Sequence, residues 1–182
     1  MALFKEKGYE KTTLVEIAAI ARISTRTLYK YYPAKEDILF KFSKDHVKMV
    51  GKFAKSLPKK MNIKEKIVTV MLKDIATISQ SEYFRVHQKE KWGSRLANSY
   101  ELENMIYLEG VYWYLLKEEQ KRSHINEEVD CKSAAIVIVG IYRQVTDRLL
   151  LKEGQFQYEI FKKNYELCLD ALGAGIRSTT LR

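Results

Sequence analysis

The chain has 182 residues, 46% of them hydrophobic and 12% aromatic, which supports a packed core and excludes an intrinsically disordered chain. It contains no run of about 18 uncharged apolar residues, and Lys5, Glu6 and Lys7 put charges where a signal peptide needs an apolar stretch, so a soluble cytoplasmic chain with no membrane span is expected. The formal net charge is +9, and 14 of the 32 Lys and Arg but only 6 of the 23 Asp and Glu fall within residues 1–60, a concentrated basic field suited to a polyanionic partner.

Only Pro33 and Pro58 interrupt the chain and period-2 alternation is rare, so an all-α fold of about nine helices is expected. The first helix ends near Gly8, which suits a left-handed cap. Thr13-Leu14-Val15-Glu16 reads as a capping box opening a second, short helix, with Leu14, Ile17, Ala18 and Ala21 on its apolar face. A break at Arg22-Ile23 follows. Ser24 caps a third helix from Thr25 to about Tyr31, with Leu28 and Tyr32 inward, and Pro33 stops it. A fourth starts near Lys35, with Glu36 and Asp37 in its first turn, and runs to about Ser56. Further helices are expected over about 63–79, 82–96, 99–121, 127–153 and 156–172, with Gly154 as a break between the last two. The two cysteines, Cys131 and Cys168, are too few for a disulfide framework and lack metal-ligand spacing.

Two short helices joined by a tight turn form a helix-turn-helix. With Leu28 and Tyr32 inward, hydroxyls, a guanidinium and an ammonium remain around the outside of the second helix, a set suited to phosphate and base-edge contacts. The ordered series Leu3-Phe4, Gly8-Tyr9, Thr12-Thr13, Ile17-Ala18, Ala21, Ser24, Thr27-Leu28-Tyr29, Tyr31-Tyr32-Pro33 and Lys35-Glu36-Asp37-Ile38-Leu39 closely resembles the DNA-binding domain of TetR-family (tetracycline-repressor-type) regulators. The resemblance covers about residues 3–45. It implies a three-helix DNA-binding domain over residues 1–45, with its first helix truncated, and a helical ligand-sensing and dimerisation domain over residues 46–182. It further implies a transcription regulator, by default a repressor, that binds a palindromic double-stranded operator as a homodimer and is released by a small effector. The DNA-contacting set it implies is Thr13, Ser24, Thr25, Arg26, Thr27, Tyr29, Lys30, Tyr31 and Lys35. Thr13, Tyr29, Tyr31 and Lys35 would meet the backbone, Thr25 and Arg26 base edges, Thr27 a thymine methyl or a phosphate, and Lys30 either base or phosphate. Two positions depart from the family pattern. Arg22 stands where the turn usually has glycine, and Ala34 replaces a capping serine.

In the second domain, aromatic residues with polar handles are candidates to line a site for a hydrophobic or aromatic effector: Tyr83, Phe84, His87, Trp92, Tyr107, Tyr112, Trp113 and Tyr142. Plain core packing is the competing reading for each. The last two apolar helices suggest a four-helix interface between copies, with Ile138, Ile141, Val145, Phe161, Tyr165 and Cys168 as contacts. An enzyme is disfavoured, because no His-Glu-x-x-His, Gly-x-Ser-x-Gly or phosphate-binding glycine loop occurs, and His46, His87 and His124 lack metal-ligand spacing. No cofactor is expected. A DNA-bound protein without a role in transcription, and a dimer that has lost DNA binding, are the remaining alternatives.

Overall fold

A computed structural model describes residues 2–79, 95–150 and 158–178. Eight helices occupy them: α1 Ala2–Lys7, α2 Leu14–Ile20, α3 Thr25–Tyr31, α4 Lys35–Ser56, α5 Ile63–Ile78, α6 Arg95–Gln120, α7 Cys131–Leu150 and α8 Tyr158–Ser178. The expected nine are thus not met among the described residues, and most of the helix anticipated over 82–96 lies outside them, as does Gly154. The chain divides into two units, Met1–Val47 with Thr77–Asn104, and Lys48–Ala76 with Met105–Arg182.

The first unit is organised around local caps. Gly8, at φ +84°, ends α1 by donating its N–H to the Phe4 carbonyl at 3.0 Å. At Thr13 both halves of the capping box form: Glu16 N–H donates to the Thr13 hydroxyl at 3.3 Å, and Thr13 N–H donates to Glu16 Oε2 at 2.9 Å. The other end of α2 is a Schellman closure, with Arg22 N–H on the Ala19 carbonyl (3.1 Å) and Ile23 N–H on the Ala18 carbonyl (3.0 Å). This places Arg22 at φ 55°, so a residue with a Cβ occupies a left-handed position that glycine takes without strain. At the start of α4, Ala34 has no side-chain oxygen to cap with. The reciprocal half of the motif survives, since Ala34 N–H donates to Asp37 Oδ2 at 2.8 Å.

Two small cores hold these helices. Phe4, Tyr9, Leu39 and Phe40 form one, and Leu14, Ala18 and Leu28 the other; Ile17 and Ile38 pack against both. Ala21, expected on the inner face of α2, is exposed, because it is already the C-cap residue and the chain turns away there. The Thr12 hydroxyl, fully buried, donates to the Gly8 carbonyl at 2.7 Å, so the α1–α2 link leaves no buried polar group unpaired at that point.

In the second unit, Asn62 and Glu65 form a capping box that starts α5. Buried positions then recur at helical spacing: Ile67, Val70, Met71 and Ile75 on α5; Leu108, Val111, Tyr112, Leu115 and Leu116 on α6; Ala135, Ile138 and Val139 on α7; Phe161 and Tyr165 on α8. Gly51 on α4 admits the Tyr107 side chain of α6, whose hydroxyl lies 2.8 Å from where a Cβ would stand. At the end of α6, the buried Glu119 carboxyl gathers three basic side chains. Lys66 Nζ donates to it at 2.6 Å, Arg122 Nη1 at 2.9 Å, and His124 Nδ1 lies 2.8 Å away. Burial works to raise the Glu119 carboxyl, but the bonds from Lys66 and His124 and the charges of Lys66 and Arg122 outweigh it, and the group sits below the usual carboxylate range.

Two outcomes test this account. Arg22→Gly keeps the closure and removes the left-handed strain, so it should stabilise the protein by about 1 kcal/mol in urea denaturation. Glu119→Gln leaves the buried Lys66 ammonium without its counter-charge and should destabilise by about 3 kcal/mol. Because the folded carboxyl titrates below its ordinary value, that contribution is complete above about pH 4.5 in the unaltered protein and fades as the pH falls through the folded value.

Candidate nucleic-acid interface

Helix α3 is seven residues long and buries one side chain, Leu28, which enters the Leu14–Ala18 core with the half-buried Tyr32 beside it. That seating fixes its rotation. Arg26, Thr27, Tyr29, Lys30 and Tyr31 are exposed and Thr25 is half-buried. Ser24 holds the N-terminal end: its Oγ accepts the Thr27 N–H at 3.0 Å and lies 2.7 Å from Thr27 Oγ1. The Thr27 hydroxyl is therefore engaged within the cap, and its methyl group is what it offers outward. Among the described residues Arg26 has no hydrogen bond or ion pair, so its guanidinium fork is available. Lys30 Nζ stands 5.9 Å from the Tyr31 ring centroid, and Tyr29 and Tyr31 are 49% and 67% exposed. Two large aromatic rings left in water on one short helix are unusual for packing and suit a partner surface.

Thr13 and Lys35 are more constrained than the sequence suggests. The Thr13 hydroxyl and N–H are both taken by Glu16, whose carboxyl is lowered to about 2 by hydrogen bonds from Lys7 and Thr13. A phosphate at the start of α2 would meet that carboxylate. Lys35 Nζ donates to the Tyr9 carbonyl at 2.8 Å and the Glu10 carbonyl at 3.4 Å, and sits 4.2 Å from the Tyr9 ring centroid. It ties α4 to the α1–α2 link. The basic groups that α3 itself presents are Arg26 and Lys30.

Of the expected effector residues, Tyr83, Phe84, His87 and Trp92 lie outside the described residues. Tyr107 and Trp113 are 40% and 45% exposed, and the Tyr107 ring packs against Gly51 of α4. Tyr112 and Tyr142 do come together, with Asp74: the Tyr142 hydroxyl is hydrogen-bonded to the Asp74 carboxyl, and Tyr112 feels the same charge. Asp74 was not singled out in the sequence, although an acid among Ile67, Met71, Ile75 and Ile78 on the apolar stripe of α5 was the available signal.

The proposed interface set also needs correction. Ile138, Phe161 and Tyr165 are 4%, 0% and 0% exposed within one chain, so they are core residues with nothing to present to a second copy. Ile141, Val145 and Cys168 are half-buried. Among the described residues, the aliphatic side chains that α7 and α8 leave in solvent include Ile136, Val137, Ile160 and Leu167, with Tyr158 at the start of α8.

Residues 1–41 match the family model described as "Bacterial regulatory proteins, tetR family". The similarity to that family is thus carried by the head, residues 1–41. Over 38 residues the chain is 50% identical to the HTH-type transcriptional regulator HbdR of Aromatoleum sp. (strain CIB), a stretch amounting to 21% of this chain and 17% of that relative. Solved structures extend the likeness in fold along nearly the whole chain. FadR of Thermus thermophilus, a TetR-family repressor in complex with lauroyl-CoA, superposes with a TM-score of 0.71 at 18% identity, covering 93% of this chain and 89% of that one. FadR of Bacillus subtilis in complex with stearoyl-CoA gives 0.64 at 20% identity, covering 91% of each. Among the described residues no helix is long and apolar enough to cross a membrane.

The exposed groups of α3 divide into two kinds with separable behaviour. Arg26→Ala should relax preference at one base pair per half-site, a loss of roughly 1–3 kcal/mol of discrimination in binding measured on a set of single-base operator variants. Lys30→Ala, acting as a phosphate contact, should weaken binding to all sequences alike and reduce the salt slope by about one unit. An Arg26→Ala protein with every base preference intact would remove Arg26 from the reading set.

Proposed function

We propose that this chain is a DNA-binding transcription regulator, a repressor that reads a palindromic operator as a homodimer and leaves it when a small molecule binds its second unit. The observation that carries the reading is α3: it is anchored by Leu28 alone and turns Arg26, Tyr29, Lys30 and Tyr31 to solvent. On a helix that enters the major groove, the guanidinium pairs with guanine O6 and N7 while the phenols and the ammonium hold flanking phosphates. Ser24 and Thr27 lock the leading turn, so side chains meet the groove with little left to order. Thr13 and Lys35 support this arrangement from behind, and contribute to phosphate binding only with the bonds they have left.

Dimerisation follows from the apolar side chains that α7 and α8 leave exposed, Ile136, Val137, Ile160 and Leu167, which a two-fold partner would cover with the same set. The second unit, residues 46–182 in the reading of the sequence, would then carry sensing and pairing. A ligand that prefers one spacing of the two heads shifts DNA affinity by its differential affinity for the two states. The FadR relatives are bound to acyl-CoA thioesters, which makes a long-chain thioester the first effector to try.

Selection from a random duplex pool tests the central reading. A two-fold symmetric motif with half-sites about one helical turn apart is the expected product. A folded protein that enriches nothing would overturn the proposal. Val137→Asp with Leu167→Asp should yield a monomer in sedimentation and lose operator binding, whereas a variant that stays dimeric would move the interface elsewhere.

A further inference from the structure

The surface of α4 carries a charge pattern that its own fold does not use. Lys41, Lys44, Lys48, Lys52 and Lys55 recur three or four positions apart along the helix, and all five are exposed. That spacing sets them in one row on the solvent side, while Val47, Val50 and Ala54 are buried on the other. Like charges one turn apart repel. Lys48 and Lys52 lie in mid-helix, too far from the last turn to gain from its negative pole. The row therefore works against the helix that carries it.

The acidic groups beside the row are already engaged. Asp45 pairs with Lys41 on α4 itself, and Glu103 with Lys44 at 2.9 Å. Glu118 of α6 pairs with Lys121 at 2.8 Å and also feels the charge of Lys59, which follows α4. Lys48 and Lys52, by contrast, have no hydrogen bond or ion pair among the described residues. The Lys55 ammonium stands 5.3 Å from the centroid of the Tyr114 ring, a contact that leaves its charge uncompensated. Lys48, Lys52 and Lys55 belong to the second unit, whereas α3 belongs to the first.

We propose that Lys48, Lys52 and Lys55 form a second contact for duplex DNA, independent of sequence and separate from α3. Ammonium groups meet phosphates as point charges and carry no base readout. A duplex presents one negative charge about every 1.7 Å of its axis, dense enough to engage successive lysines of the row. Other polyanions fit less well. A protein interface is anchored by aromatic residues or arginine, and on α4 Met49 is the one large hydrophobe left exposed. A membrane surface needs an apolar face to insert, and that of α4 is spent on the core. Single strands are held by stacking on open rings, whereas Tyr114 is half-buried with Lys55 over it. The inference takes DNA as the partner from the reading above, and adds a contact that strengthens binding to any duplex.

The test uses the full chain and a short duplex of mixed sequence, so it needs no operator and its failure is separable from that of the operator reading. Affinity is measured by fluorescence anisotropy over a series of salt concentrations. Lys48→Gln with Lys52→Gln should reduce the slope of log affinity against log salt by about two units. The control pair Lys132→Gln with Lys163→Gln removes the same net charge from exposed sites on α7 and α8 and should leave the slope as it is. The loss should persist in an Arg26→Ala, Lys30→Ala background, because the row acts apart from α3. The melting temperature of the α4 variant should be unchanged or higher, since a repulsion is removed. The proposal is overturned if the two pairs change the slope equally, or if the α4 variant melts lower, which would make the lysines structural. It is also overturned if that variant keeps its duplex slope but loses binding to polyglutamate or to phosphatidylserine vesicles, which would assign the row to an acidic protein or a membrane.

Discussion

The burial of Leu28 against Leu14 and Ala18 is the contact on which the candidate interface depends. A seven-residue helix is too short to be stable in water by itself, and α3 has a single fully buried residue to hold it. Everything the helix offers to a partner follows from that one anchor, because fixing Leu28 inward fixes which side chains face out. Ile17 and Ile38 extend the effect, since each packs against both small cores of the head, so the seating of α3 is coupled to the seating of α1 and α4. Caps complete the arrangement. Ser24, the Thr13–Glu16 box and the Schellman closure at Arg22 satisfy the ends of helices that have no length to spare.

The same economy explains why charged residues of the head differ in availability. Lys35 and Glu16 look like surface charges in the sequence, yet each is used at home, Lys35 on the carbonyls of Tyr9 and Glu10 and Glu16 on Thr13 and Lys7. Arg26 and Lys30 lie on a helix whose ends are capped by hydroxyl and backbone groups, so their charges are not needed to hold it. A basic head therefore divides into cations that stabilise the fold and cations left available to meet a polyanion.

In the second unit the polar residues fall into two contrasting groups. Around Glu119, one buried carboxyl is met by Lys66, Arg122 and His124, and the charges close on each other. Asp74, buried on α5, is bonded to the Tyr142 phenol, and Tyr112 lies close enough to feel its charge. The first pattern is that of a structural ion cluster, which ties the start of α5 to the end of α6. The second brings a carboxyl and phenols together in the low-dielectric interior, where each bond carries more weight than in water.

The caps and breaks of the head were legible in the sequence because they depend on residues three or four apart: Gly8, the Thr13–Glu16 pair, Ser24, Pro33 and the Leu28–Tyr32 face all act locally. The rotation of α3, and with it the exposure of Arg26, Tyr29 and Tyr31, followed from the same short-range periodicity. The resemblance in residues 3–45 had the same source. What only the tertiary structure decided were matters of distance across the chain. Periodicity marks a residue as apolar-facing but does not say whether that face meets the chain's own core or a second copy, so Ile138, Phe161 and Tyr165 were assigned outward and lie inside. Nor does it say which polar groups converge. Asp74 and Tyr112 are 38 positions apart, and Tyr142 is further along still; only helix packing brings the three together, where burial raises both phenols.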